Sequence, residues 1–457
     1  MPVLLTAGLF YLLSLAAFLW IAVYNRYPVV YPDTGAYIHA GCSGTVPVDR
    51  PVIYGLFVRH ISMLRSLWFV AVVQGLTAVF LVVQTMKLAR VENKPFTLFV
   101  TCLLVSVCTT CGYYIGQIMP DIFSAFMWWS LGLILLSEKR PVPASILLYI
   151  ILIFSSITHF SNLLGLILFS AGALLVFLIS GNVKHAKKLW IIPVISLLAV
   201  FAVNFIAEKK IFVSKCPNVF FTAKLCSTGI LKTYLSGTCP QENYKICSYR
   251  DALPNTLEGF LWGPESIIEK ARTADHLDYD NECISLEGEC RKINIAALSD
   301  RHNLRTFIKT WLSAILIQSY NFDADILPPL TEGSGFDAMM KWHYKDEFKA
   351  HRNSRQSQGT MNFSVMNRVQ QVVMIVTILY FLTRLVVILK TRSRFPDIML
   401  LTGIIFIGFV VNIFICEFFS NPVGRYSGRI IWLFPVLAFR IRNKSCGAGI
   451  NGRPLQE

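Results

Sequence analysis

Residues 189–206 read LWIIPVISLLAVFAVNFI, an uncharged run. It is long enough to cross the hydrocarbon layer as a helix, which takes about 17–25 apolar residues. Nine other segments carry the same signature: 4–24, 66–86, 95–113, 119–136, 144–160, 162–180, 368–389, 397–418 and a short one at 427–440 that contains Arg429. The whole chain agrees. Of its 457 residues, 54% are hydrophobic and only 15% charged, and the mean hydropathy is +0.54. A soluble domain carries roughly 25% charged residues. The fold class expected is an all-α polytopic membrane protein with about ten transmembrane helices.

The formal charge of +15 is spread over short connectors rather than gathered in a nucleic-acid patch, so no nucleic acid is expected as a partner. Lys87 to Lys94, Glu138-Lys139-Arg140, Lys184 to Lys188, Lys390 to Arg394 and the tail Arg440 to Lys444 all join apolar runs. Under the positive-inside rule these connectors face the cytoplasm. Ten crossings with both ends inside satisfy all of them. The first helix reads as a retained anchor, because no Lys or Arg precedes Arg26 to form a signal-peptide n-region. The loop 25–65, the turns near 113–119, His159 and 419–426, and the segment 207–367 then share the outer face.

Three parts follow: a transmembrane block 1–206 with seven crossings, an extracytoplasmic segment 207–367, and a C-terminal transmembrane block 368–457 with a basic tail. The middle part holds Cys216, Cys226, Cys239, Cys247, Cys283 and Cys290. An even set in such a segment reads as disulfides in an oxidising compartment, and their spacing does not match zinc pairs. Connectivity stays open. Cys42 and Cys416, both near the outer surface, are a further candidate bridge, while Cys102, Cys108 and Cys111 read as packing thiols. Apolar residues at helical spacing from Leu304 to Leu316, with Arg305 and Lys309 on the other face, predict an amphipathic helix on the domain core or on the membrane surface. A second one, Ile53 to Leu64, is expected flat against the bilayer. The polar, Gly-containing stretch 323–366 reads as a mobile loop or lid.

The candidate chemistry sits on the outer loops. Asp33, in Pro32-Asp33-Thr34-Gly35, is either a helix cap or a general base or metal ligand facing a membrane cleft. Asp121, after Met119-Pro120 at the start of an apolar helix, has the same two readings. His159 lies among Ser155, Ser156, Thr158, Ser161 and Asn162, which gives it a polar setting. Arg425 and Arg429, four apart, share a helix face and suit a phosphate clamp, with snorkelling to headgroups as the plain alternative. Arg50, Arg59 and His60 are secondary candidates. No Walker A loop, GxSxG elbow or HExxH pair is present, which disfavours familiar nucleotide-driven pumps and serine or zinc hydrolases. No cofactor is called for with certainty; a divalent metal ion, if used, would fall to Asp33 and Asp121.

Read in order, an outer-loop Asp33 in Pro32-Asp33-Thr34-Gly35-Ala36-Tyr37, then Arg50-Pro51-Val52-Ile53-Tyr54, Met119-Pro120-Asp121 and Gly424-Arg425-Tyr426 resemble the GT-C superfamily of polytopic glycosyltransferases. The likeness is to the bacterial protein mannosyltransferase and aminoarabinose transferase types. It implies an inverting transfer from a polyprenyl-phosphate sugar to an envelope glycolipid, polysaccharide or protein at the outer face of the cytoplasmic (inner) membrane. It makes Asp33 and Asp121 catalytic. It puts the lipid phosphate on Arg425, with Arg429, Tyr37, Arg50, Tyr54, His159 and Tyr426 lining the substrate site. Two features depart from the pattern: Thr34 stands where many members have a second acid, and the Cys-containing segment with Phe260-Leu261-Trp262 is unusual. The rival classes are a transporter or flippase of a lipid-linked saccharide, and a non-enzymatic envelope assembly protein.

Overall fold

The computed structural model describes residues 2–91, 94–136, 140–179, 183–239, 241–324 and 333–438. The basic tail Arg440 to Lys444 and the connector residues Glu138 and Lys139, both expected on the cytoplasmic side, lie outside them. Among the described residues the chain is helical, and its only β-type pairing is an isolated parallel bridge between Val29 and Gln117.

The first block runs α1 (Pro2–Asn25), α2 (Thr34–Ser43), α3 (Ile53–Ser62), α4 (Trp68–Leu88), α5 (Pro95–Cys108), α6 (Cys111–Gly116), α7 (Asp121–Leu136), α8 (Val142–Ile157), α9 (Phe160–Ile179) and α10 (Val183–Glu208). The middle segment holds α11 (Pro217–Ser227), α12 (Ile230–Thr238), a 3-10 turn (Lys245–Ala252), α13 (Leu257–Leu261), α14 (Ile267–Asp275), α15 (Tyr279–Ser299), α16 (Arg301–Tyr320), α17 (Gly335–His343) and α18 (Lys345–Arg352). The chain closes with α19 (Ser364–Thr391), α20 (Asp397–Phe419), α21 (Gly424–Ile431) and α22 (Leu433–Ala438).

Among the described residues, five helices are long and apolar enough to cross a membrane: Leu5–Asn25, Trp68–Leu88, Leu189–Glu208, Ser364–Thr391 and Asp397–Phe419. A sixth is reached if Val142–Ile157 and Phe160–Val176, bent by 115° at Thr158 and His159, form one broken span. The ten runs of the sequence therefore do not become ten long spans. The reason is packing. α7 is buried continuously from Asp121 to Leu133, so protein rather than lipid surrounds it, and at 1.5 Å per residue its 16 residues rise only about 24 Å. The run 427–440 breaks at Trp432 into α21 and α22, both buried.

The first loop is fastened from two sides. The Val29 amide donates to the Gly116 carbonyl at 2.9 Å, the Val29 carbonyl accepts from the Ile118 amide at 2.8 Å, and Thr34 Oγ1 donates to the Ile118 carbonyl at 3.0 Å. Gln74 on α4 donates to the carbonyls of Ile115 and Gln117. These bonds draw the Asp33 loop against the start of α7. α2 and α3 then cross where Gly41 meets Gly55; a methyl group on Gly41 would sit 2.1 Å from the Gly55 carbonyl. α3, the amphipathic helix expected after the first loop, has a protein partner for its apolar face. Its Tyr54, Gly55 and Val58 are buried against α2 and α4, because a two-glycine crossing leaves its apolar face no other exit.

The stretch 323–366 is not a mobile loop over its described part. α17 and α18 clamp the first loop: Glu347 accepts from Tyr27 at 2.7 Å and from the Leu67 amide at 3.0 Å, and the Tyr344 hydroxyl meets Ser62 at 2.8 Å. Gln356 pairs with both backbone groups of Val30. Phe336, Met340, Tyr344 and Phe363 join the core of the membrane block, which the polar composition of the stretch concealed.

The remaining middle segment builds its own core from Val219, Leu231, Phe260, Leu286 and Phe307. Cys239 and Cys247 form a disulfide. Cys216, Cys226, Cys283 and Cys290 do not; they are buried thiols of that core. Cys283 and Cys290 are seven apart on the inner face of α15, where a thiol packs as a small apolar group. Cys42 and Cys416 are also unbridged.

Candidate active site

Asp33 stands at the N-terminus of α2, yet its side chain caps nothing. Thr34 does the local work instead, accepting from the Tyr31 amide at 2.8 Å. The carboxylate is thereby left to two arginines. Oδ1 lies 3.3 Å from Arg50 Nη2, and Oδ2 lies 3.3 Å from Arg425 Nη1. Arg50 is itself braced by its neighbour Asp49 (Nε to Oδ1, 2.9 Å) and stacks over the Tyr37 ring at 5.0 Å. Arg425 lies over Tyr31 at 4.4 Å and over Tyr426 at 5.5 Å. The site is open to one side: the Asp33 side chain is 30% exposed and Arg425 19%.

Burial pushes the Asp33 carboxyl up, but Arg50 and Arg425 together outweigh it and hold the group below the ordinary value of 3.8. Arg50 and Arg425 in turn stay firmly charged; burial opposes their charge, and the acidic and tyrosine neighbours more than offset it. Burial raises the Tyr37 phenol, so it is neutral. At neutral pH the cluster is thus a carboxylate between two guanidinium groups, walled by aromatic rings.

Asp121 sits alongside and is closed. It opens α7 and pairs with Arg429 at 3.4 Å, with side-chain exposures of 5% and 0%. Arg429 also donates to Asn412 Oδ1 at 2.5 Å and Ser161 Oγ at 3.2 Å, and touches Cys416 Sγ at 3.3 Å. Its backbone carbonyl accepts from Trp432. Arg429 does not snorkel. His159, at the bend between α8 and α9, shares Ser161 through Nδ1 at 2.8 Å, so Ser161 links His159 to Arg429. Arg425 lies within electrostatic reach of both Asp33 and Asp121.

The expected residues thus largely converge. Asp33, Arg50, Tyr37, Arg425 and Tyr426 form one cluster, and Asp121, Arg429 and His159 an adjoining one. Tyr54 is fully buried behind Tyr37, edge-on at 5.1 Å, with its hydroxyl on Gln74. Arg59 and His60 stay outside, on the exposed end of α3. Reading residues one at a time missed Asp49, Tyr31, Asn412 and Cys416. Asn412 carried a signal, since an amide inside a long apolar run is costly unless used.

The residues do not fit a divalent metal ion. Each aspartate is matched by its own arginine, and among the described residues no group of three or more His, Cys, Asp or Glu comes together to hold one. No family model, curated protein or solved structure matches this chain. What the cluster does chemically must follow from its own groups. Two guanidinium groups beside a half-open carboxylate can exchange that carboxylate for a phosphate oxygen. The carboxylate so released regains basicity, because the charges that depressed it have turned to the ligand.

Proposed function

We propose that this protein is an inverting membrane glycosyltransferase of the GT-C type. In this reading it moves a sugar from a polyprenyl-phosphate donor to an envelope acceptor at the outer face of the cytoplasmic membrane. The finer topology belongs to the same proposal: ten hydrophobic passes, short ones included, with the middle segment outside. One observation carries it. Asp33 lies within 3.3 Å of two guanidinium groups, Arg50 and Arg425, drawn from opposite ends of the chain.

The donor phosphate draws Arg425 away from Asp33, with Arg50 as the second contact. Asp33 takes the proton of the acceptor hydroxyl or amine. The acceptor atom forms its bond to the anomeric carbon, and the carbon–oxygen bond to phosphate breaks from the opposite side. The electron pair leaves on the phosphate oxygen, whose added charge the arginines stabilise. Tyr31, Tyr37 and Tyr426 give the sugar aromatic faces. Asp121 acts by holding α7 against α21, and so positions Arg425.

The test uses full-length protein in nanodiscs with undecaprenyl- or dolichyl-phosphate mannose carrying a radiolabel, and with polyprenyl phosphate as a binding probe. Asp33→Asn is expected to bind the probe and to abolish sugar release; Arg425→Ala is expected to weaken probe binding at least tenfold. Undiminished sugar release by Asp33→Asn would overturn the assignment. So would a wild-type protein that ignores polyprenyl phosphate.

The 115° bend at Thr158 and His159 favours a second reading, a transporter of a lipid-linked saccharide, since broken helices are how transporters bring polar groups to a substrate. That reading expects Asp33→Asn to slow flipping without touching any covalent bond.

A further inference from the structure

α16 is amphipathic in an unusual way. Its buried face is Asn303, Phe307, Ala314 and Gln318. The opposite face leaves Leu304, Ile308, Leu312, Leu316, Ile317 and Tyr320 exposed, Leu316 to 68%. The cations Arg301, Arg305 and Lys309 all lie in the first half of the helix; the second half, from Thr310 to Tyr320, has none.

Its neighbour sets its depth. Phe307 packs edge-on to Phe418 at 5.2 Å, near the end of the membrane-length helix α20. One turn on, Trp311 meets Phe414 at 5.5 Å and donates to the Phe414 carbonyl at 3.1 Å. The chain of α16 advances as that of α20 recedes, so α16 descends along the end of a spanning helix. Its charged half is level with the end of α20 and its apolar half lies deeper. Phe406, Ile407 and Phe414 on α20 are exposed as well. A shallow groove of about 490 Å³ runs along it, lined by Arg305, Ile308, Lys309, Leu312, Ser313 and Leu316.

We propose that α16 is a half-sunk helix that binds an anionic phospholipid, its phosphate held by Arg305 and Lys309 and its acyl chain laid along Ile308, Leu312 and Leu316. Arg305 and Lys309 are four apart and share a face, so both reach one headgroup. Apolar surface with cations at its headgroup end is what anionic lipid surfaces select. The inference is independent of sugar transfer. It does bear on the site, because Gln318 at the deep end of α16 accepts from the Val423 amide at 2.8 Å and bonds Ser427, holding the helix that carries Arg425 and Arg429.

The experiment places p-benzoylphenylalanine at Leu312 or Leu316 in the full chain, in nanodiscs mixing phosphatidylcholine and phosphatidylglycerol, and reads the photo-adducts by mass spectrometry. Phospholipid adducts are expected at both positions, with phosphatidylglycerol enriched several-fold over its share of the bilayer. Arg305→Glu with Lys309→Glu is expected to return the enrichment to that share while lipid adducts persist, which also shows the helix still in place; Arg305→Gln with Lys309→Gln is a milder version should the reversal misfold. Adducts to a second copy of the chain, no adducts at all, or an enrichment indifferent to the charge changes would each overturn the proposal.

Discussion

Arg425 and Arg429 stand one turn apart on α21, each facing an aspartate, and the two pairs differ in exposure. Asp33 and Arg425 are half open, whereas Asp121 and Arg429 are sealed. Exposure decides what the same two functional groups are for. A pair in contact with solvent or ligand can break and re-form at little cost. A sealed pair cannot, because parting it leaves a charge in a medium that does not solvate it. The sealed pair therefore staples α7 to α21, and the open one is free to trade partners a few ångströms away.

The largest effect expected is on the sealed pair. Arg429→Ala should cost about 3–5 kcal/mol by orphaning Asp121, read as a lowered thermal midpoint of the detergent-solubilised protein. A midpoint unchanged from wild type would break the contrast outright. Replacing both members, Asp121→Leu with Arg429→Met, should restore most of that loss, since the penalty belongs to the unpaired charge rather than to the missing attraction. Restoration of less than half would mean that Asn412, Ser161 and Cys416 share the stapling.

The open pair should behave the other way. Arg425→Ala is expected to lower stability by about 1 kcal/mol or less, while sugar transfer falls by roughly a hundredfold or more. Equal damage to both readouts would erase the distinction between the pairs. A finer test uses pH. Because the arginines hold Asp33 below its ordinary 3.8, the stabilisation from this group is complete above that value and is lost as pH falls through the depressed one. Arg425→Gln should move the acid limb of transfer upward, towards the ordinary carboxylate range.

The last test concerns the clamp over the first loop. Burial and the nearby Arg352 lower the His351 imidazole from 6.5 to about 4, so it stays neutral when the unfolded chain would take up a proton. Stability should decline as pH drops from 6.5 towards 4 and level off below. His351→Gln should flatten that decline, and hydrogen exchange in α17 and α18 would report it.

Much of the site could be read from residues that are expensive where they stand. Asp33, Asp121, Arg425 and Arg429 each border or enter an apolar run, and such placement seldom survives without a partner. Their grouping was also foreseeable in outline. The partnering was not: both arginines looked like ligands for phosphate, and both aspartates like one shared pair. Tertiary packing instead gave each acid its own base. Asp49, next to Arg50 in the chain, and Tyr31, beneath Arg425, acquire meaning only once the Val29 to Gln117 bridge brings the loops together.

A lipid solvent imposes a requirement that can be met along a single strand of sequence, since each helix satisfies its own backbone. For that reason the helical class, with helices long and apolar enough to cross a membrane, was decided by composition and order alone. How many helices span, which cysteines join and which charge faces which depend on neighbours distant in the chain. A 16-residue helix suffices when protein surrounds it, and a thiol stays reduced when an apolar core closes round it. An arginine is sealed or left open to solvent according to how the helices around it pack. Those outcomes belong to the folded contacts, because burial is a property of the assembled chain and of no residue by itself.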